Sequence, residues 1–381
     1  MDDVDEPVGG PPVERFRSVF RVVEVRRDDD DTLFYFGEPT VAPDVLERHV
    51  WPLFRDRGYE VRLTTVTDSE TDPITGVEVK DRRTALVATP HSSGIDGVPW
   101  LNIAFALLTV VTTLFAGLEW YGYDVSLGDP RTLLRAWPFA IAVLGVLGVH
   151  ELGHYVMSRY YRVNASLPYF IPIPTIFGTM GAVIKMDGRI PDRKALFDIG
   201  VAGPLAGLAA AVVVTAVGLH LDPVPAGPIF QIDSLNYPPL IRFIAALTGR
   251  PLSYAGELRV NPVVVGGWVG MFVTFLNLLP VGQLDGGHLV RAMLGERQET
   301  VAALVPAGLF GLGAYLLLVR HEALQAISLW FLWGVIAMGL AYAGPAHPVH
   351  DDGLDRKRMV VGVVTFVLGL LCFTPVPFRF V

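Results

Sequence analysis

The sequence predicts an α-helical polytopic membrane protein of about six to seven transmembrane helices with a re-entrant β-hairpin, preceded by a small soluble α+β domain. Three observations carry this expectation. Of 381 residues, 51% are hydrophobic and only 18% are charged, whereas soluble globular chains carry about a quarter charged residues. Seven apolar runs approach the roughly 20 residues needed to cross a bilayer. These runs begin only after residue 98, and the part before them has the mixed polarity of a soluble fold.

The first stretch, residues 1–12, is acidic and contains Gly9-Gly10-Pro11-Pro12. It reads as a disordered tail, with no secretory leader in it. Residues 13–90 form the predicted soluble domain. Phe20 to Val25 and Thr32 to Phe36 make strands of a hairpin around the turn Asp28 to Asp31, although the first strand alternates imperfectly. Four adjacent aspartates suit a solvated turn better than a cation site, because no ligand geometry is specified. Asp44 to Arg57 has helical spacing with Pro52 inside it, and Tyr59–Thr65 and Thr84–Ala88 suggest two more strands. Nothing in this domain carries catalytic chemistry. Its role is either regulatory, as a filter for substrates, or simply that of a cap. Residues 91–98 form a polar linker.

The predicted spans are Pro99–Leu118, Leu134–Tyr155, Leu196–Leu219, Val263–Leu279, Val301–Val319, Ala326–Tyr342 and Met359–Thr374. The first six make a core over residues 99–344, and residues 345–381 add a loop and an extra C-terminal helix. Basic residues decide orientation. Arg159, Arg162, Arg189, Arg193, Lys194, Arg291, Arg297 and Arg356-Lys357-Arg358 fall on one side and place it, with the N-terminal domain, in the cytoplasm. The other side keeps Arg131, Arg135, Arg242, Arg250, Arg259 and Arg320, so the bias is moderate. The expected location is the cell membrane, as a multi-pass protein.

Two connecting segments have character of their own. Leu167 to Met186 is apolar yet carries Pro168, Pro172, Pro174, Gly178 and Gly181, so it cannot form a spanning helix. Irregular backbone at membrane depth must be buried in protein or line a cavity, which suggests a re-entrant hairpin; an ordinary interfacial loop is the alternative. Between His220 and Asn261, Pro239 to Leu247 is amphipathic and suited to a membrane surface.

The net charge is −8, and only four of the 30 basic residues are Lys. That balance argues against nucleic acid as a partner and suits either a high-salt proteome or a GC-rich genome. The single cysteine, Cys372, excludes disulfides and Cys-based metal sites. Any metal must therefore take His and carboxylate ligands.

Such ligands stand at the end of the second run, in Val149-His150-Glu151-Leu152-Gly153-His154-Tyr155. His150 and His154 are four apart, on one helix face, with Glu151 beside them. This is the pattern of two imidazole ligands and a carboxylate base. Ionisable groups inside an apolar span are functional by default. A catalytic zinc needs a third protein ligand. Asp285, in Asn277-Leu278-Leu279-Pro280-Val281-Gly282-Gln283-Leu284-Asp285-Gly286-Gly287, reaches the same predicted depth, in a span broken by Pro280 and its glycines. Asp198 competes with it, although its place among Arg193, Lys194 and a helix start suits a capping role. His288 is read as a neighbour of the site, while the remaining histidines lack partners at metal spacing. Ala202-Gly203-Pro204-Leu205-Ala206-Gly207 is read as a close-packing stripe.

Together, HELGH, AGPLAG and NLLPVGQLDGG resemble the site-2 protease family of intramembrane zinc metalloproteases (peptidase family M50), most closely its archaeal and plastid, EGY-like branch. The likeness covers about Pro99 to Tyr342. It implies zinc held by His150, His154 and Asp285, with Glu151 as the catalytic carboxylate. Asn277 would position substrate or stabilise the transition state. Pro168 to Met186 would be a membrane-entering β-hairpin, with Phe177, Gly178 and Gly181 near substrate. The implied substrate is a membrane-spanning protein cut within its spanning segment, in contact with the lipid bilayer. A membrane metal transporter and a catalytically idle scaffold are the rival readings. The transporter does not need Glu151, and the scaffold predicts a damaged site. Oligomeric state is not specified by the sequence.

Overall fold

A computed structural model describes residues 9–71, 78–90, 98–123, 131–187, 189–225, 232–254 and 258–380. The first eight residues of the expected tail and linker residues 91–97 lie outside the described residues. The chain divides into two compact units, Met1–Gly94 and Ile95–Val381.

In the first unit, strands β1 (Phe20–Arg27) and β2 (Leu33–Pro39), helix α1 (Pro43–Arg55), and strands β3 (Tyr59–Thr71) and β4 (Glu78–Pro90) follow one another. The strands form an antiparallel sheet in the order β1-β2-β4-β3. Large aromatics fill the space between helix and sheet. Phe16, Tyr35 and Phe54 are fully buried and pack within 5.2–5.6 Å of one another, centroid to centroid. The imperfect alternation of β1 has a physical cause. A bulge between Val22 and Glu24 shifts the register and leaves Val23 exposed, so one apolar residue falls out of step. At the bend, Arg27 Nη2 meets Asp31 Oδ1 at 2.5 Å, and the Asp run forms a turn closed by an Asp28 N to Thr32 O bond. Arg83, and after it Arg26, donate to Glu24 and hold its carboxyl below the ordinary range.

The second unit begins with α2 (Trp100–Tyr121), the short α3 (Arg131–Leu134) and α4 (Trp137–Tyr160). Strands β5 (Asn164–Ala165), β6 (Tyr169–Pro172), β7 (Thr179–Val183), β8 (Met186–Asp187) and β9 (Ile190–Asp192) lead into α5 (Arg193–His220). After β10 (Val224–Pro225), β11 (Ile232–Leu235), α6 (Pro239–Thr248) and β12 (Leu258–Arg259) come α7 (Val263–Asn277), α8 (Asp285–Leu294), α9 (Gln298–Leu318) and α10 (Leu324–Ala343). Strand β13 (Pro348–His350), α11 (Arg356–Leu371) and β14 (Phe378–Phe380) complete the unit. Among the described residues, five helical segments are long and apolar enough to cross a membrane: α2, α4, α5, α10 and the run through α8 and α9. The protein is therefore a polytopic membrane protein. The fourth and seventh predicted spans appear as shorter helices, α7 with 15 residues and α11 with 16.

Helix α7 is central, and every residue from Val263 to Phe272 is buried. Glycines bring its backbone against its neighbours. A Cβ at Gly266 would stand 2.5 Å from Ala142 of α4, and one at Gly267 would stand 2.0 Å from Thr215 of α5. Lipid offers no hydrophobic drive for helix association, so close backbone contact between small residues does that work. The helix stops at Asn277, the turn through Pro280 intervenes, and α8 starts at Asp285. The Gly-Gly pair after Asp285 is required sterically. A Cβ at Gly286 would lie 2.2 Å from the Leu278 carbonyl, and one at Gly287 would lie 2.2 Å from the Gly282 carbonyl. Those contacts seat Asp285 in the first turn of α8, where the positive end of the helix dipole favours a carboxylate.

Candidate metal centre

Three side chains converge where α4, α5 and α8 meet. His150 and His154 are one turn apart on α4, with their Nε2 atoms 3.3 Å apart. Asp285 Oδ2 is 3.3 Å from His150 Nε2, and Asp285 Oδ1 is 3.2 Å from His154 Nε2. Both histidines are buried. Among the described residues this is the group of His, Cys, Asp or Glu side chains able to hold a metal ion. Asp198, the competing carboxylate, is elsewhere in the site's surroundings. It accepts from Arg358 Nε at 2.8 Å and Nη2 at 2.6 Å, and from the Tyr161 hydroxyl.

The donor set fits a tetrahedral cation on two counts. A tetrahedron with bonds of about 2.0 Å has edges of about 3.3 Å, and the three edges here are 3.2–3.3 Å. The protonation pattern agrees. His154 Nδ1 lies 2.8 Å from the Ile199 carbonyl, which can only accept, so Nδ1 carries the hydrogen and Nε2 presents its lone pair inward. Such a carbonyl partner fixes tautomer and ring orientation in metal-binding histidines. Asp285 Oδ2 is buried without a hydrogen-bond partner. Buried acceptors facing one another without a donor are unfavourable; a shared cation resolves the conflict.

Glu151 is buried and borders the same cleft, of about 170 Å³, as the three ligating side chains. Asn277, the last residue of α7, also lines it, and its Nδ2 is 3.2 Å from His150 Nε2. His288 lines the cleft as well. Ala182, Val183 and Ile184, at and just past the end of β7, also line it. Strands β6 and β7 form an antiparallel hairpin, with Tyr169 opposite Val183 and Pro172 opposite Thr179. Helix α2 holds that hairpin by side-chain bonds to its carbonyls. Asn102 Nδ2 donates to Leu167 at 2.8 Å, Thr112 to Gly178 at 2.5 Å, and Trp120 Nε1 to Ile176 at 2.7 Å.

The three hairpin residues singled out in the sequence have other places. Phe177 stacks 6.5 Å from Trp120 and lies 5.8 Å from Trp268, within an aromatic cluster. Gly178 (φ +76°) lets the turn touch α2, since a Cβ there would meet the Thr112 carbonyl at 2.4 Å. Gly181 (φ +108°) has open space around its Cα. Its value is the backbone angle. The hairpin's cleft-facing edge lies a few residues further on.

The Ala-Gly-Pro-Leu-Ala-Gly stretch belongs to the site. A Cβ on Gly203 would fall 2.0 Å from His154 Nε2, and one on Gly207 would fall 2.8 Å from His150 Cβ. In return, Gly153 faces the Ala202 carbonyl, at 2.6 Å for an added Cβ. Small residues four apart on α5 thus leave the space that the imidazoles occupy. The sequence signal was visible, and read only as helix packing.

A carboxylate and two histidines thus meet within the helical core as a set able to hold a metal ion. Residues 138–319 match the sequence profile of Peptidase family M50, so the core of the chain is similar to that family. The "Probable zinc metalloprotease EGY1, chloroplastic" of Arabidopsis thaliana is 36% identical over 243 residues, 62% of this chain and 43% of the relative. The "Probable zinc metalloprotease EGY2, chloroplastic" of the same plant is 27% identical over 351 residues, 90% of this chain and 59% of the relative. The chain thus spans less than two thirds of these curated relatives. The solved "Site-2 Protease from Methanocaldococcus jannaschii" is similar over 77% of this chain and 100% of its own, with a TM-score of 0.32 and 16% identity.

Proposed function

We propose that the protein is an intramembrane zinc metalloprotease that hydrolyses peptide bonds in the spanning segments of membrane-protein substrates. The observation carrying this reading is the convergence of His150, His154 and Asp285 on one point, with Glu151 on the same cleft. His150, His154 and Asp285 hold the zinc, and their tetrahedral spacing supports that assignment. Zinc held there supplies Lewis acidity and lowers the pKa of a bound water to about 7.

The chain's own residues do the rest. The Glu151 carboxylate takes a proton from the attacking water and passes it to the departing amine nitrogen. The Asn277 amide, beside His150, donates toward the oxygen on which negative charge develops. A substrate helix keeps its carbonyls in internal hydrogen bonds, so it must unwind to be cut. The edge at Ala182–Ile184 receives the unwound segment by strand addition. Here the β6–β7 hairpin serves as a re-entrant element, its backbone satisfied by its own pairing and by α2. The basic bias supports a cytoplasmic opening for the cleft, which would give water a short path to the site.

Purified protein with Glu151→Gln is expected to retain zinc and lose cleavage of a spanning reporter. His150→Ala is expected to lose both. Full cleavage by the Glu151→Gln protein would refute the assignment.

A further inference from the structure

Residues 348–358 cross the ends of the three helices that build the metal centre, and they lie beyond the matched segment 138–319. Strand β13 pairs in parallel with β9, Pro348 opposite Ile190 and His350 opposite Asp192, directly before α5. Asp351 then stands 3.7 Å from Arg193 Nε at the start of α5 and 3.3 Å from Arg291 Nη2 on α8. Asp355 caps α11 by accepting from the Arg358 amide at 3.1 Å, and its other oxygen takes Arg358 Nη1 at 2.5 Å. The remaining two nitrogens of Arg358 grip Asp198 on α5, at 2.8 and 2.6 Å. Tyr161, the residue that ends α4, donates to the same carboxylate.

Asp198 directly precedes Ile199, whose carbonyl fixes the His154 ring. A two-pronged Arg–carboxylate pair defines geometry as well as charge. We propose that residues 348–358 form a clasp that sets the relative placement of α4, α5 and α8, with Arg358 as its positioning residue, and that zinc affinity depends on it. This rests on the zinc-site reading above. In that reading α4 brings two ligands, α8 brings the third, and α5 brings the carbonyl that orients one of them. Arg291 ties α8 to the clasp and Arg193 with Asp198 ties α5 to it, while Tyr161 joins the end of α4 through the same Asp198 carboxylate. The metal centre of the family core is therefore completed, in this chain, by a segment outside that core.

The test is zinc affinity of the full-length, detergent-purified protein, measured by competition with a chromophoric chelator. Arg358→Ala and Asp198→Asn are expected to weaken zinc binding about 10- to 100-fold, the usual effect of removing a partner that orients a ligand. Arg358→Lys, which keeps the charge and loses the fork, should fall between them and wild type. Arg356→Ala, at an exposed neighbouring position, should match wild type. If Arg358→Ala does not fold, Asp351→Ala should still weaken affinity through the ties to Arg193 and Arg291. Wild-type zinc affinity in the folded Arg358 and Asp351 variants overturns the clasp, even if the metal-free protein melts earlier. A wild-type protein that binds no zinc would instead overturn the site reading itself.

Discussion

The two units weight large and small residues differently in their packing. The soluble unit fills its interior with large rings, as at Phe16, Tyr35 and Phe54. The membrane unit has rings of its own around Trp268, but where its helices approach most closely it places Gly203, Gly207, Gly266 and Gly267. Water drives the first arrangement, since burying an aromatic ring removes a large apolar area from solvent. In lipid that gain vanishes, and close approach takes its place. The vulnerable change is therefore the loss of atoms in one unit and their addition in the other.

The sharpest way to break this contrast is one methyl group at the metal centre. Gly203→Ala should abolish zinc binding, because the new Cβ would fall 2.0 Å from His154 Nε2 and displace the ring. Metal content of the purified protein reads this, and a full complement of zinc would refute it. In the soluble unit, Phe54→Ala should destabilise by about 3–5 kcal/mol through a cavity, read as earlier hydrogen exchange in β1–β4 of the full chain. Unchanged protection there would show that the ring cluster contributes little.

A smaller effect is expected at the surface of the same unit. Glu24→Gln removes a pair with Arg83 that is partly exposed on both sides, so the loss should stay below about 1 kcal/mol. Its pH dependence has a definite sign. The folded carboxyl has a lowered pKa, so its contribution is present above the ordinary carboxylate range and fades as pH falls through the folded value. A wild-type advantage that grows in acid would contradict this. At the small end is Gly145→Ala on α4, where an added Cβ meets nothing within 4 Å. Zinc content and affinity should not change.

The parts legible in the sequence were those whose chemistry is written in residue type. His150, His154 and Asp285 stood out because polar groups are rare in apolar runs, and helical spacing placed the two imidazoles together. Gly203 and Gly207 declared only small size. Their function, making room for imidazoles on another helix, appears only when α4 and α5 are seen together. Asp198 was legible as a carboxylate near a helix start. Its partner Arg358 is 160 positions away, and no spacing rule reaches that far. Phe177 is placed near substrate only through the hairpin that the resemblance implies, and its stacking on Trp120, a residue of α2, has no signal in the sequence. Span ends also shifted. Helix α4 runs on to Tyr160, past the apolar stretch that ended at Tyr155, because a helix continues through polar residues until its cap.

The contact between Gly203 and His154 also bears on the order of assembly. Adjacent helix residues differ by about 1.5 Å along the axis, so a one-residue slip of α5 would bring Ala202 or Pro204 to the level where only glycine fits. On the zinc-site reading proposed above, the register of α5 against α4 is then a precondition for the imidazoles to take up a metal. One helix's smallest residues thereby set the register of another helix's histidines.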